Sequence, residues 1–172
     1  MAIMLVAATA FAMNVSAQEK GDMAAGGSVV MGSGDGINNF GIGAKFQYNV
    51  TKPVRLEGSF TYFLPKDRGI ISIKTSLSMW DLSVTGHYLF DMDEKFVLYP
   101  LAGIGILGCI SSMESDLDEY NYSDSSTEFG VNLGGGIDFK LSETLILNGQ
   151  IKYFLVSDWN RLIISAGVVY RF

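Results

Sequence analysis

The sequence predicts an all-β chain: an eight-stranded antiparallel up-and-down transmembrane β-barrel. Three observations carry that expectation. Apolar and polar residues alternate with period two over nearly the whole length beyond residue 20, the signature of strands with two different faces. Glycine is frequent at 20 residues, proline rare at three, and aromatic residues make up 12% of the chain, which suits strands and tight turns better than helices. Beyond the N-terminal segment, no apolar run is long and unbroken enough for a membrane-spanning helix.

The N-terminal segment stands apart. Ala2 to Met13 is uncharged, and Val15 and Ala17 supply the small-x-small pattern of a cleavage site. Residues 1–17 therefore read as an export signal cut after Ala17, leaving one domain over 18–172. No Lys or Arg precedes the apolar core, which a start site upstream of Met1 would explain. Export leads to an oxidising compartment, but the single Cys109 excludes an intramolecular disulfide. Within its apolar run Cys109 reads as a small buried hydrophobe.

The strands follow in order. The first, MAAGGSVVMG from Met23, is rich in small residues and leaves its register open. The second sets Phe40, Ile42, Ala44, Phe46, Tyr48 and Val50 against Lys45, Gln47 and Asn49. The third sets Val54, Leu56, Phe60, Tyr62 and Leu64 against Arg55, Glu57, Ser59 and Thr61. The fourth sets Trp80, Leu82, Val84, Tyr88 and Phe90 against Asp81, Ser83, Thr85 and His87. The fifth, KFVLYPLAGIGILGCI, is apolar on both parities, as a strand with lipid on one side and small or aromatic interior groups on the other would be. The sixth sets Phe129, Val131, Leu133, Ile137 and Phe139 against Asn132, Asp138 and Lys140. The seventh sets Leu145, Leu147, Ile151, Tyr153 and Leu155 against Asn148, Gln150 and Lys152. The eighth sets Leu162, Ile164, Ala166, Val168, Tyr170 and Phe172 against Arg161, Ser165 and Arg171.

The connections alternate too. TKP, DMDE and LSE are short; PKDRGIISIKTSL and the acidic SSMESDLDEYNYSDSST, residues 111–127, are expected as long loops. Short turns on one side and longer loops on the other is the sidedness of an outer-membrane barrel, with both termini on the short-turn, periplasmic side.

The apolar face is expected to point outward. It carries Tyr48, Tyr88, Phe90, Phe96, Phe139, Tyr170 and Phe172 near the short turns, and Phe40, Tyr62, Trp80 and Phe129 near the loops. Two belts of rings about an apolar waist make an aromatic girdle, which a soluble, lipocalin-like core has no reason to build. The polar face would then fill a narrow interior, where Lys45, Arg55, Glu57, Asp81, His87, Asp138, Lys140, Lys152 and Arg171 form a network in place of a conducting path. Glycines on that face make room for the long basic side chains.

At this point the chain resembles the small outer-membrane β-barrel family that includes the OmpA transmembrane domain and the OmpX-type proteins. The resemblance is carried by YPLAGIGILG (Tyr99 to Gly108), FGVNLGGGIDFKLSETLIL (Phe129 to Leu147) and the terminal VVYRF, and spans the mature chain. It implies that Tyr170 and Phe172 belong to the signal read by the barrel assembly machinery. The peptidoglycan anchoring of longer relatives lies in a second domain that is not expected here.

The net charge of −6 maps to one segment. Glu114, Asp116, Asp118, Glu119, Asp124 and Glu128 lie together without a base, and the remaining acids and bases cancel at twelve each. No basic patch offers itself to nucleic acid. The acidic stretch lacks the ligand spacing of a Ca²⁺ loop and reads as a solvated surface loop in which Glu114, Asp116, Asp118, Glu119, Tyr120, Tyr122 and Asp124 are available to an extracellular partner or to cation-bridged lipopolysaccharide. No cofactor or metal site is expected, nor catalysis: the only histidine, His87, falls near the periplasmic end and points inward, away from outer-leaflet lipid. The functional expectation is a monomeric outer-membrane protein of a Gram-negative bacterium, plugged by its own side chains and presenting surface loops. A small passive pore or ligand-carrying barrel is the first alternative, and a lipid A-modifying enzyme the second.

Overall fold

The computed structural model describes residues 20–34, 37–70, 73–115, 122–156 and 160–172; the expected export signal lies outside them. The strands are β1 (Met23–Gly34), β2 (Ile37–Thr51), β3 (Val54–Ile70), β4 (Ile73–Tyr88), β5 (Phe96–Ser115), β6 (Tyr122–Lys140), β7 (Leu145–Val156) and β8 (Arg161–Arg171). A two-residue piece, Phe90–Asp91, continues β4 past Leu89 in the same register against β5. Every strand pairs antiparallel with its chain neighbours, and β1 pairs with β8. The sheet is a closed barrel of eight staves, so no edge is left bare in lipid. The small-residue first strand takes its register from both sides, Val29 lying between Ile42 and Ala166.

The registers fix the shape. A path from Met23 through Tyr48, Leu56, Gly86, Ala102, Leu133, Tyr153 and Leu162 re-enters β1 at Ser33, ten residues beyond its start (33 − 23). A shear of ten over eight strands corresponds to a tilt of about 40° and a backbone radius of about 8 Å, just filled by side chains.

The alternation resolves as the sequence predicts. Phe40, Ile42, Phe46, Leu56, Phe60, Val84, Ile104, Leu133, Ile151 and Val168 are exposed, while Lys45, Gln47, Arg55, Glu57, Asp81, His87, Asn132, Asp138, Asn148 and Lys152 are buried. Between the two belts of rings, every described outward position is apolar or glycine. On β6 the belt residues Phe129 and Phe139 stand ten positions apart. At about 2.5 Å of axial rise per residue in a strand so tilted, the belts lie about 25 Å apart, the height of an outer-membrane apolar band. A soluble exterior would carry charge there, and this one carries none.

The two long connections differ from expectation. The β3–β4 ladder runs on to Ile70–Ile73, the β4–β5 ladder to Ile73–Ser115, and the β5–β6 ladder to Met113–Tyr122. Most of 65–77 and 111–127 is therefore wall, and Glu114, Tyr122 and Asp124 stand on strands; Asp116, Asp118, Glu119 and Tyr120 lie outside the described residues. The physical reason is that alternation marks a strand only where its two faces meet different media. Beyond the lipid, the two faces of a strand no longer have to differ.

Candidate functional site: the barrel interior and its outer rim

The inward residues stack in three tiers. At the short-turn end lies an apolar floor of Ala24, Ile146 and Val169, with Leu89, Val97, Tyr99 and Leu101 clustered beside it. Above it runs a polar band. Arg55 Nη1 donates to Asp138 Oδ2 at 2.6 Å with both side chains 1% exposed. Arg55 Nε donates to His87 Nδ1 at 3.2 Å, and the guanidinium lies 4.6 Å from the Tyr99 ring centroid. Because arginine only donates, His87 Nδ1 accepts and carries no proton. The proton sits on Nε2, which donates to Thr85 Oγ1 at 2.9 Å, and the imidazole stacks on Tyr99 at 4.6 Å. His87 is thus held neutral and spent on structure, with both nitrogens engaged and no route to lipid.

Asn148 links the band across the lumen. Its Nδ2 donates to Asp138 Oδ1 at 2.5 Å and to the Tyr99 hydroxyl at 2.6 Å, while its Oδ1 accepts from Lys45 Nζ at 2.6 Å. Glu57 accepts from Gln47 at 2.7 Å and from Gln150 at 3.0 Å. Higher up, Lys152 Nζ reaches Asp81 Oδ1 at 3.3 Å, Ser83 donates to Asp81 Oδ2 at 2.9 Å, and Asn132 donates to Ser83 at 3.0 Å. Glycine permits this crowding: a Cβ on Gly136 would strike the Tyr99 ring, and one on Gly134 the Ile151 carbonyl. A void beside Lys45, Thr61, Gln150 and Lys152 measures about 10 Å³, room for one water.

The third tier, toward the long connections, is an apolar plug of Val30, Phe63, Met79, Leu107, Phe154, Val156 and Ile163, with Cys109 against it. Arg161 enters this tier from β8, where it is 2% exposed.

Of the interior residues expected from the sequence, Lys45, Arg55, Glu57, Asp81, His87, Asp138 and Lys152 meet in these contacts. Lys140 and Arg171 lie at the short-turn rim, partly exposed, where Arg171 is 3.6 Å from Asp22. Together with Asp91, Asp93, Glu94, Lys95 and Glu143 they line a bowl of about 420 Å³ open to that side. Sequence reasoning missed the amides Gln47, Asn132, Asn148 and Gln150 as network members, although their parity marked them inward. It also missed the plug. The signal was available: at the loop-side end of several strands both parities turn apolar, as in Tyr62–Phe63–Leu64, Phe154–Leu155–Val156 and Leu162–Ile163–Ile164. Tyr170 and Phe172 face outward at the short-turn end, 54% and 65% exposed, and the Phe172 amide donates to the Met23 carbonyl at 3.0 Å.

Among the described residues no cluster of His, Cys, Asp or Glu could hold a metal ion. What the geometry builds is a filled post in the membrane with a raised outer rim.

No curated protein sequence matches the chain. Solved structures do. Ail, the attachment invasion locus protein of Yersinia pestis, crystallised in complex with the heparin analogue sucrose octasulfate, is 21% identical, with a TM-score of 0.64 over 89% of this chain and 99% of Ail. Neisserial surface protein A is 17% identical, with a TM-score of 0.65 over 88% and 96%. OprG of Pseudomonas aeruginosa is 15% identical, with a TM-score of 0.63 over 92% and 99%. These likenesses share the fold. The family model for the outer membrane protein beta-barrel domain matches residues 2–172, and with the belts, the uncharged waist and the closed sheet already described, this chain belongs to that outer-membrane β-barrel family.

Proposed function

We propose that this outer-membrane barrel is a non-catalytic surface-interaction protein whose binding surface is the projecting sheet of β3, β4, β5 and β6. One observation carries the reading. The β2–β3 ladder stops at Gly41–Phe63 and the β6–β7 ladder at Gly130–Val156, while the four strands between continue outward. From Phe63 to the tip at Ile70, β3 runs about 17 Å past its last pair with β2. Among the described residues, the outer parts of β3 and β6 have no partner strand on their far sides. Unpaired strand edges are templates for an incoming extended segment.

Charge selects the partner class. The acids of 114–128, without a base among them, favour a cationic segment or a lipopolysaccharide surface bridged by divalent cations. That is opposite to the polysulfated analogue bound by Ail, so ligand class is not carried over with the fold. The tightly filled interior supports a plug and argues against a pore. Removal of the leader after Ala17, a monomeric state, and a role for Tyr170 and Phe172 in recognition by the assembly machinery belong to the same proposal.

The test is excision of residues 112–123, which rejoins the register-matched pair Ser111 and Asp124 and shortens the rim without disturbing the membrane wall. Proteoliposomes bearing the shortened chain are expected to lose binding to a basic extended peptide that the full chain captures. Equal capture by both would overturn the reading.

A further inference from the structure

The polar band matches its donors with acceptors; the plug holds a donor pair that is not matched. Arg161 Nη1 donates to the Met79 thioether at 3.2 Å, and the guanidinium lies 4.7 Å from the Phe63 ring centroid. Among the described residues, its Nε and Nη2 have no hydrogen-bond partner. These are the two N–H groups along one edge of the guanidinium, the parallel fork that takes a carboxylate or phosphate side-on. A buried donor without an acceptor is rare and costly, and a charged one more so.

The surroundings are cut to the head group. On β1 a Cβ at Gly32 would lie 2.5 Å from Arg161 Nη2, and one at Gly34 would lie 3.0 Å from its Cγ. Asn39 donates to the same Met79 sulfur at 3.6 Å, which fixes it beside the guanidinium. Phe63, Met79 and Ile163 form an apolar ground beneath, where a charge-assisted hydrogen bond is stronger than in water. On β6, Glu128 Oε2 is also without a partner among the described residues.

We propose that Arg161 is an oxyanion-binding site at the outer mouth of the barrel, taking one small carboxylate, phosphate or sulfate group side-on from the external medium. The position inside the wall selects a small free anion over a lipid headgroup, which meets the outside of the wall. This site is independent of the projecting sheet, so excision of 112–123 and loss of anion binding report on separate readings.

The experiment is an NMR titration of the arginine side-chain Nε–H resonances in the refolded full chain, held in a maltoside micelle that contains no phosphate. Acetate and inorganic phosphate are added against sodium chloride at equal ionic strength. One resonance is expected to shift saturably with the oxyanions and not with chloride, and to vanish in Arg161→Gln. Addition of vesicles carrying phosphate headgroups in place of the free anion is expected to leave it unmoved. Shifts that follow ionic strength alone, or a saturable shift that survives Arg161→Gln, would overturn the proposal. Should Arg161→Gln fail to assemble, the chloride comparison on the unaltered chain decides it.

Discussion

Arg55 and Arg161 are both interior guanidiniums, 1% and 2% exposed, yet they live in opposite surroundings. Arg55 is met by a carboxylate, an imidazole nitrogen and an aromatic face, each supplied by a different strand. Through Asp138 and Asn148 its contacts reach Lys45, so one connected network spans β2 to β7. Backbone ladders join only neighbouring staves; this network joins walls that face each other across the lumen. Arg161 rests on a thioether and a phenyl ring, with two of its three nitrogens unpartnered among the described residues. The lower tier thus uses charge as cross-linking, and the upper tier uses apolar packing and carries its charge as a reserve for binding.

The contrast is broken most severely from the carboxylate side. Asp138→Ala leaves Arg55 buried without its counter-charge and Asn148 with only the Tyr99 hydroxyl as acceptor, and is expected to cost about 4 kcal/mol, the range for removing one member of a buried ion pair. Urea unfolding of the refolded protein, followed by loss of compact gel migration, measures it. A cost below about 1 kcal/mol would mean that water has entered the band and replaced the lost oxygen.

Glycine sharpens the comparison at the next scale. Inside the wall, Gly134 faces the Ile151 carbonyl and the Lys152 Cα, where a Cβ would be 2.7 Å from the latter. Gly134→Ala is expected to cost about 2 kcal/mol by overpacking. Outside it, a Cβ on Gly58 meets nothing within 4 Å, and Gly58→Ala is expected to stay within about 0.5 kcal/mol of the parent. The same urea titration, run on the two variants side by side, separates them. In the plug, Ile163→Val removes one buried methylene and is expected to cost about 1 kcal/mol by the same measurement.

These tiers were legible in the sequence to different depths. The polar band could be read because its residues alternate with lipid-facing ones: Arg55 and Glu57 stand between Val54, Leu56 and Gly58, and no soluble arrangement explains both faces at once. The plug was not read because Phe63 sits between Tyr62 and Leu64, where both parities are apolar and the period of two disappears. The outer sheet was hidden by the converse effect, since in SDSST both parities are polar. Arg161 was visible on the inward parity, but its lack of an acceptor depends on which side chains meet across the lumen. That is set by a shear of ten residues that no single strand encodes.

The smallest expected effect is the one that best separates the two tiers. Arg161→Met removes a buried charge together with its desolvation cost and puts an unbranched thioether beside Met79, Phe63 and Ile163. It gives up one charge-assisted contact to sulfur and one cation–π contact, each worth about 1 kcal/mol or somewhat more. Replacing a poorly paired buried charge by apolar volume is commonly neutral or stabilising, so the two sides offset and the unfolding midpoint in chloride buffer is expected to be unchanged. In the lower tier the corresponding Arg55→Met strands Asp138 and is expected to cost as much as Asp138→Ala. Phosphate then provides the finer distinction. A ligand that binds only the folded state stabilises it in proportion to the logarithm of its occupancy, so phosphate is expected to raise the midpoint of the parent and leave Arg161→Met where it was. A parent midpoint equally insensitive to phosphate and chloride would return Arg161 to the role of a filler.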